Sequence, residues 1–306
     1  MLRRKSITDT ESLSLEDIEL ILSNADSFLE VSRRDVKKVP TLRGKTIVNL
    51  FFEPSTRTRT SFEIAAKRLS ADLINFSSSG SSIKKGESII DTLKTMLSMK
   101  VDLVVIRHSD SGVIKLIDRF INVPVINAGD GKHQHPTQAL LDLYTIRKKF
   151  GKFEGLKVAI IGDFINSRVA RSNVNLFEKM GMEVTIVSPT MLLPEDFSKM
   201  NVRHRIDDVI EESDIIYILR MQFERQNRRF YPSIMEYNRF LSLDSRRLRK
   251  MKPDSIIMHP GPVNRGIEIT DEVMDATGNF GGKIIINEQV TYGVAVRMAL
   301  LYLILG

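Results

Sequence analysis

Residues 46–69, TIVNLFFEPSTRTRTSFEIAAKRL, hold the pattern that decides the fold. The first seven residues, Thr46–Phe52, are mostly apolar, which predicts a buried strand. After a short polar turn, apolar residues recur at helical spacing from Phe62 to Leu69, which predicts an amphipathic helix. A strand followed directly by a helix is the repeating unit of a parallel α/β sheet.

The same alternation continues along the rest of the chain, with a break at Gly151–Gly155. The other predicted strands before the break are Asp72–Phe76, Val101–Ile106 and Val123–Asn127, and those after it are Leu156–Ile161, Glu183–Val187, Asp214–Leu219 and Ser255–Met258. Long helices are predicted over Pro136–Phe150 and Glu288–Leu305. The pattern therefore predicts an α/β protein with two doubly wound parallel-sheet domains linked by helices.

Composition excludes several classes of chemistry. The chain has 306 residues and no cysteine, so disulfides, thiolate nucleophiles and cysteine-bound zinc are excluded. Only five histidines are present, and we predict no metal site. The N-terminus has no apolar run typical of a signal peptide, and apolar stretches such as Met298–Leu305 are far shorter than a spanning helix. We therefore expect no membrane association and a cytoplasmic location.

The formal net charge of +7 favours anionic partners. Nucleic acid is one alternative, but the basic residues are spread along the chain, and no module combines aromatic and basic residues for nucleic-acid recognition. Small anionic substrates are the better interpretation.

The turn after the first strand has the properties of a phosphate site. Ser55 or Thr56 can cap the following helix, whose positive end would then face the crevice together with the Arg57 guanidinium. An ordinary cap with solvated arginines would explain a bare Ser-Thr-Arg. The whole run, at the carboxyl end of a buried strand, favours the phosphate interpretation.

Four further features have both a functional and an ordinary interpretation. Arg107 closes an apolar strand and would meet either an anion or Asp110. His135 begins a helix, as a neutral hydrogen-bond donor to a carbonyl oxygen or as a plain cap. The loop 77–87 is either a solvent loop or a mobile lid that delivers a lysine. Arg168 and Arg220 follow strand ends and suit a dicarboxylate, although surface pairing explains each of them alone.

Taken together, these features resemble the aspartate/ornithine carbamoyltransferase family, and the resemblance covers nearly the whole chain. Two segments are its most specific part. Ser55-Thr56-Arg57-Thr58-Arg59 is similar to the family's carbamoyl phosphate motif, and His135-Pro136-Thr137-Gln138 is similar to its second shared motif. The segment 259–266, HPGPVNRG, resembles the loop of the aspartate-specific members, whereas ornithine-specific members typically show His-Cys-Leu-Pro there. The resemblance thus implies transfer of a carbamoyl group to L-aspartate, an early step of de novo pyrimidine biosynthesis.

The resemblance also implies two domains: residues 1–136 plus 293–306 would bind carbamoyl phosphate, and residues 137–292 would bind aspartate. It further implies a role for each matching residue. Phosphate binding is implied for Ser55, Thr56, Arg57 and Thr58. Contact with the carbonyl oxygen is implied for Arg57, Thr58, Arg107 and His135, and contact with the carbamoyl nitrogen for Gln138, Gly261 and Pro262. Aspartate binding is implied for Arg168, Arg220, Gln222 and Lys85.

The family's shared active site further implies a homotrimer in which Ser81 and Lys85 reach in from a neighbouring subunit. Glu53 would pair with Arg168 and Arg225 and stabilise closure of the domains. Neither a cofactor nor a metal is implied. The sequence leaves open whether regulatory chains or a dihydroorotase partner bind to the trimer.

Overall fold

The structure, a computed structural model, describes residues 2–3, 5–77, 88–222, 233–276 and 282–306, with only the backbone of Ser77. The described residues form ten α-helices and ten β-strands, joined by turns and short 3₁₀ segments. The chain divides into two compact units. Unit 1 comprises residues 1–145 and 290–306, and unit 2 comprises residues 146–289.

Unit 1 is built on a four-stranded sheet in the order β2-β1-β3-β4, and every strand pair is parallel. Its strands are β1 (Thr46–Phe51), β2 (Asp72–Ser77), β3 (Leu103–His108) and β4 (Val125–Asp130). Its helices are α1 (Leu15–Arg33), α2 (Thr56–Arg68), α3 (Ile89–Leu97) and α4 (Val113–Asp118), followed by α5 (Pro136–Phe150). Each strand predicted in this half of the chain is confirmed to within a few residues at its ends.

Apolar residues on the strands of unit 1 explain why the sheet forms. Val48 and Leu50 on β1 pack with Val104 and Ile106 on β3, and each of the four is at most 3% exposed. Strands buried in this way read as continuous apolar runs, which is the pattern found in the sequence. The polar turns that follow the strands are thereby held at one edge of the sheet.

Unit 2 is built on a six-stranded parallel sheet in the order β10-β9-β8-β5-β6-β7. Its strands are β5 (Lys157–Ile161), β6 (Glu183–Val187), β7 (Asn201–Arg203), β8 (Ile215–Ile218), β9 (Ile256–Met258) and β10 (Lys283–Ile284). Its helices are α6 (Arg168–Lys179), α7 (Ile234–Leu241), α8 (Ser245–Leu248) and α9 (Asp271–Met274), and α10 (Ile286–Leu305) begins in it. The prediction of two parallel α/β domains linked by helices is therefore confirmed.

Two helices connect the units along the chain. The division falls inside α5, after Thr145, and inside α10, before Val290. The predicted boundaries, 136/137 and 292/293, lie near the start of α5 and within α10. Each helix begins in one unit and ends in the other, so no turn marks either boundary in the sequence.

The terminal helix corrects one expectation about apolar length. α10 spans 20 residues and contains an 18-residue window with a mean hydropathy of 1.3, so it is long and apolar enough to cross a membrane, and the apolar stretch is longer than predicted. However, 56% of the residues in its apolar window are buried inside the protein, among them Ala295, Met298 and Leu301. Burial of this extent is expected of a core helix.

Candidate active site

The carboxyl ends of β1, β3 and β4 lie side by side in the unit 1 sheet. The chain leaves β1 through a four-residue turn into α2, and it leaves β4 through a turn into α5. The two sequence motifs therefore emerge from the same edge of one sheet, where open parallel sheets bind ligands.

The N-terminus of α2 differs from those of α1 and α3. Ser14 and Ser88 cap α1 and α3 by accepting backbone hydrogen bonds through their hydroxyls, whereas Ser55 at the N-cap of α2 makes no such bond. Of the two predicted capping residues, Ser55 occupies the N-cap position, although its hydroxyl makes no capping hydrogen bond, and Thr56 is the first helical residue. The first turn also contains no acidic residue. The positive end of α2 is therefore not neutralised by a carboxylate of that turn.

The side chains of this motif differ in exposure. Thr56 and Arg57 are exposed, whereas Ser55 and Thr58 are half-buried. Hydroxyl groups, a guanidinium and the amides of a first helical turn together make a site suited to a phosphate group.

Arg107 lies near the end of β3 and is held from two sides. Its Nη1 donates to the Ala128 carbonyl oxygen at 3.2 Å, and its Nη2 donates to the Glu53 carboxylate at 3.4 Å. The alternative of an ion pair between Arg107 and Asp110 is wrong, because the strand carries the guanidinium toward the turn after β1. The guanidinium thus lies beside the candidate phosphate turn.

Glu53 is the residue predicted to pair with Arg168 and Arg225. In this structure its carboxylate contacts Arg107. Arg225 lies outside the described residues, as do Ser81 and Lys85. The predicted roles of these three residues, and the role of Glu53 in closure, stay predictions.

His135 and Gln138 lie at the start of α5, and both are buried, at 4% and 8% exposure. The His135 carbonyl oxygen accepts the Gln138 backbone amide at 2.9 Å, and the His135 Nδ1 lies 3.5 Å from the Thr137 hydroxyl. The Gln138 side chain donates through Nε2 to the Asp142 carboxylate at 3.1 Å. The motif therefore places an imidazole and an oriented amide at the same helix start.

Asp130 organises the turn that leads to His135, and sequence reasoning did not identify it. Its buried carboxylate accepts the backbone amides of Gly112 and Gln134 at 2.8 and 2.9 Å. It also accepts a hydrogen bond from His133, and this bond raises the pKa of the His133 imidazole. An aspartate in a glycine-containing turn gives no signal in sequence that distinguishes it from an ordinary turn residue.

In unit 2 the strands β5, β8 and β9 are neighbours. The residues predicted to bind aspartate follow the carboxyl ends of β5 and β8. Arg168 is the first residue of α6 and is 3% exposed, beside the capping residue Ser167, whose hydroxyl accepts the Ala170 amide at 3.1 Å. After β8, the Arg220 Nη1 donates to the Gln222 Oε1 at 3.2 Å. Two of the residues predicted to bind aspartate thus contact each other in the loop after β8.

The loop after β9 carries Gly261 and Pro262, the residues predicted to contact the substrate through their backbone carbonyls. The peptide bond between Gly261 and Pro262 is cis, and the Gly261 amide donates to His259 Nδ1 at 2.8 Å. Gly261 adopts a φ of 66°, in the left-handed region that favours glycine.

Glu268 joins the loops after β8 and β9, and sequence reasoning missed it. The fully buried carboxylate accepts the Met221 amide at 2.7 Å and the Asn264 amide at 2.6 Å. His259 Nε2 lies 3.5 Å from the same carboxylate. Since Met221 lies between Arg220 and Gln222, this carboxylate fixes the backbone that carries both predicted aspartate ligands.

Comparison with protein-family models gives two matches that follow each other along the chain. Residues 5–148 match the carbamoyl-P binding domain of aspartate/ornithine carbamoyltransferase, and residues 154–304 match the Asp/Orn binding domain.

Whole-chain relatives point the same way. The aspartate carbamoyltransferase catalytic subunit of Syntrophus aciditrophicus is 51% identical over 99% of this chain and 98% of that protein. That of Halothermothrix orenii is 51% identical over 100% of this chain and 96% of that protein. The aspartate transcarbamoylase of Trypanosoma cruzi, solved in complex with carbamoyl phosphate, superposes with a TM-score of 0.88 at 32% identity, covering 98% of this chain and 96% of that one.

Proposed function

This chain belongs to the aspartate/ornithine carbamoyltransferase family, and on that premise we propose that it is an aspartate carbamoyltransferase. It would transfer the carbamoyl group of carbamoyl phosphate to the amine of L-aspartate, giving N-carbamoyl-L-aspartate and phosphate in pyrimidine biosynthesis. The observation that carries the proposal is the arrangement at the unit 1 sheet edge. There, α2 begins directly after β1, and the neighbouring strand β3 carries Arg107. The first turn of α2 contains no acidic residue.

The reaction needs stabilisation of charge more than it needs a protein nucleophile. The aspartate amine attacks the carbonyl carbon, the new C–N bond forms, and the C–O bond to phosphate breaks as phosphate takes the amine proton. Negative charge develops on the carbonyl oxygen, where fixed donors contribute roughly 100- to 1000-fold in rate each. We assign this role to Arg57, Thr58, Arg107 and His135.

The remaining residues bind and orient the two anions. We assign the donor's phosphate to the α2 turn at Ser55, Thr56, Arg57 and Thr58, and the carbamoyl nitrogen to Gln138 and the backbone carbonyls of Gly261 and Pro262. We assign the carboxylates of aspartate to Arg168, Arg220 and Gln222. Holding two reactants in attack geometry can lower the barrier by several kcal/mol, and the net charge of +7 favours the approach of both anions.

Purified protein assayed with carbamoyl phosphate and either L-aspartate or L-ornithine tests the choice of acceptor. We expect carbamoyl-aspartate to form readily and carbamoylated ornithine to stay at background. The arginines after β5 and β8 suit a diacid, whereas ornithine has a cationic side chain that they would repel. Turnover with ornithine and none with aspartate would reverse the assignment.

We also propose a homotrimer with shared sites, in which Ser81 and Lys85 serve a neighbouring subunit. Membership of the family, whose resemblance implies active sites shared between subunits, supports this proposal. A cytoplasmic location stays a prediction.

Mixed chains test the shared site. Lys85→Ala and Arg57→Ala chains, each inactive alone, are expected to regain activity after dissociation and reassembly, because some hybrid sites then contain neither substitution. As a control, Arg57→Ala mixed with His135→Ala should stay inactive, since one subunit supplies both residues. Equal inactivity of the two mixtures would contradict the shared site.

A further inference from the structure

The amide of Gln138 is held by a partner whose chemistry fixes its orientation. Gln138 Nε2 lies 3.1 Å from Asp142 Oδ1, one helical turn further along α5, and the Asp142 side chain is fully buried. A carboxylate accepts hydrogen bonds and has none to donate, so it can pair only with the NH₂ end of the amide. The carbonyl oxygen of Gln138 therefore points away from Asp142.

This orientation matters for a carbamoyl group. The nitrogen of the carbamoyl group is a hydrogen-bond donor and needs an acceptor opposite it. The Gln138 oxygen supplies one, whereas a flipped amide would place two donors against each other. A buried donor left without an acceptor costs about 1–3 kcal/mol.

Asp142 interacts electrostatically with a buried cation on α10. Arg297 on α10 is 4% exposed, donates through Nη1 to the Ser61 hydroxyl at 2.9 Å, and lies 5.2 Å from the Phe62 ring centroid. Burial lowers the pKa of the Arg297 guanidinium to about 10, and the charge of Asp142 acts against this shift.

Gly293 leaves the room that the guanidinium occupies. A Cβ atom built at this glycine would lie 2.7 Å from Arg297 Nη1 and 3.0 Å from Leu141 Cδ2. The Arg297 guanidinium on α10 thus contacts α2, and Leu141 of α5 lies close to Gly293 on the same helix as Arg297.

We propose that Asp142 is a positioning residue, supported by Arg297, that directs the Gln138 oxygen toward the carbamoyl nitrogen of the donor. This role rests on the proposed function, because it assumes that carbamoyl phosphate binds at the start of α5. It predicts a selective defect: recognition of the carbamoyl end depends on Asp142, and recognition of the phosphate end does not.

The variant Asp142→Asn tests the selectivity. Asparagine keeps the shape but offers an NH₂ group to Gln138, which allows the glutamine amide to turn over. We expect the KM for carbamoyl phosphate to rise about 10- to 100-fold. Inhibition by inorganic phosphate, which has no carbamoyl group, should change less than twofold.

The control is Asp26→Asn, since Asp26 accepts a hydrogen bond from Tyr144 on the same helix α5 and has no part in the proposal. The KM for carbamoyl phosphate and the inhibition constant of inorganic phosphate should both stay near wild type in that variant. Equal weakening of carbamoyl phosphate and phosphate in Asp142→Asn, or no change in either, would overturn the positioning role. Absence of carbamoyl phosphate turnover in the wild-type protein would instead overturn the proposed function itself.

A second variant keeps the test valid if Asp142→Asn does not fold. Arg297→Lys retains the positive charge but loses the planar contact with Phe62 and shifts the donor to Ser61. We expect a smaller defect in the same direction, a KM for carbamoyl phosphate raised about threefold or more with phosphate inhibition unchanged. A folded Arg297→Lys enzyme with a wild-type ratio of the two constants would contradict the supporting role of Arg297.

Discussion

Replacing Arg57 with alanine is expected to lower kcat by at least about 100- to 1000-fold while leaving the fold intact. The guanidinium is assigned to both the phosphate and the carbonyl oxygen, so its loss removes charge stabilisation where the reaction needs it. The side chain is exposed in the first turn of α2, so its removal leaves no cavity in the core. Steady-state kinetics and circular dichroism measure the two effects separately.

Lys67→Ala is the matched control for this prediction. Lys67 lies in the last turn of the same helix, and its ammonium contacts Glu63 at 2.6 Å on the surface. An exposed ion pair contributes little to stability, so this variant should keep both its fold and its kcat. Near-normal turnover in Arg57→Ala would refute the role of the α2 turn.

The second large effect concerns the stability of unit 2, through Arg247. This fully buried guanidinium binds Asp207 bidentately, Nε to Oδ1 at 3.1 Å and Nη2 to Oδ2 at 2.7 Å. It also donates to the carbonyl oxygens of Asn238, Arg239 and Ser242. One side chain thereby satisfies acceptors at the end of α7 and beyond it.

Arg247→Met keeps the volume and removes every donor. We expect the free energy of unfolding to fall by about 3 kcal/mol, because removing one partner of a buried pair costs roughly 3–5 kcal/mol. The Asp207 side chain is 25% exposed and regains some water, which places the loss at the lower end. Urea unfolding measures the loss, and hydrogen-exchange mass spectrometry should locate it in unit 2 peptides.

The neighbouring Arg246 provides the control. Its side chain is 64% exposed and lies 3.8 Å from the same carboxylate, so Arg246→Met should change stability by less than about 1 kcal/mol. Equal effects of the two substitutions would contradict the account of Arg247.

The stability difference between wild type and Arg247→Met should also depend on pH. Hydrogen bonding to Arg247 lowers the pKa of the Asp207 carboxyl in the folded protein. A depressed carboxyl pKa contributes stability above the unfolded-state value of about 3.9, and that contribution is lost as the pH falls through the folded pKa. The difference should therefore be full at neutral pH and shrink in acid.

Sequence patterns predicted the strands and helices well, because burial and periodicity are local properties. β1, for example, was predicted over Thr46–Phe52 and spans Thr46–Phe51. The position of the motifs at strand ends followed from the same patterns, since a parallel sheet brings the turns after its neighbouring strands to one edge.

The partners of buried charges could not be predicted in the same way. Arg107 contacts Glu53, 54 residues away, rather than the nearby Asp110. Glu268 fixes the backbone at Met221, 47 residues away. Such pairs depend on three-dimensional packing, which the local sequence around either partner does not specify.

The location of the donor's phosphate tests the central claim most directly. Crystals of the wild-type protein soaked with carbamoyl phosphate are expected to show the phosphate group bound by the backbone amides of residues 55–58 and by the Arg57 guanidinium, with the carbamoyl end toward His135. A phosphate bound at any other place, with the α2 N-terminus left in contact with solvent, would contradict the account.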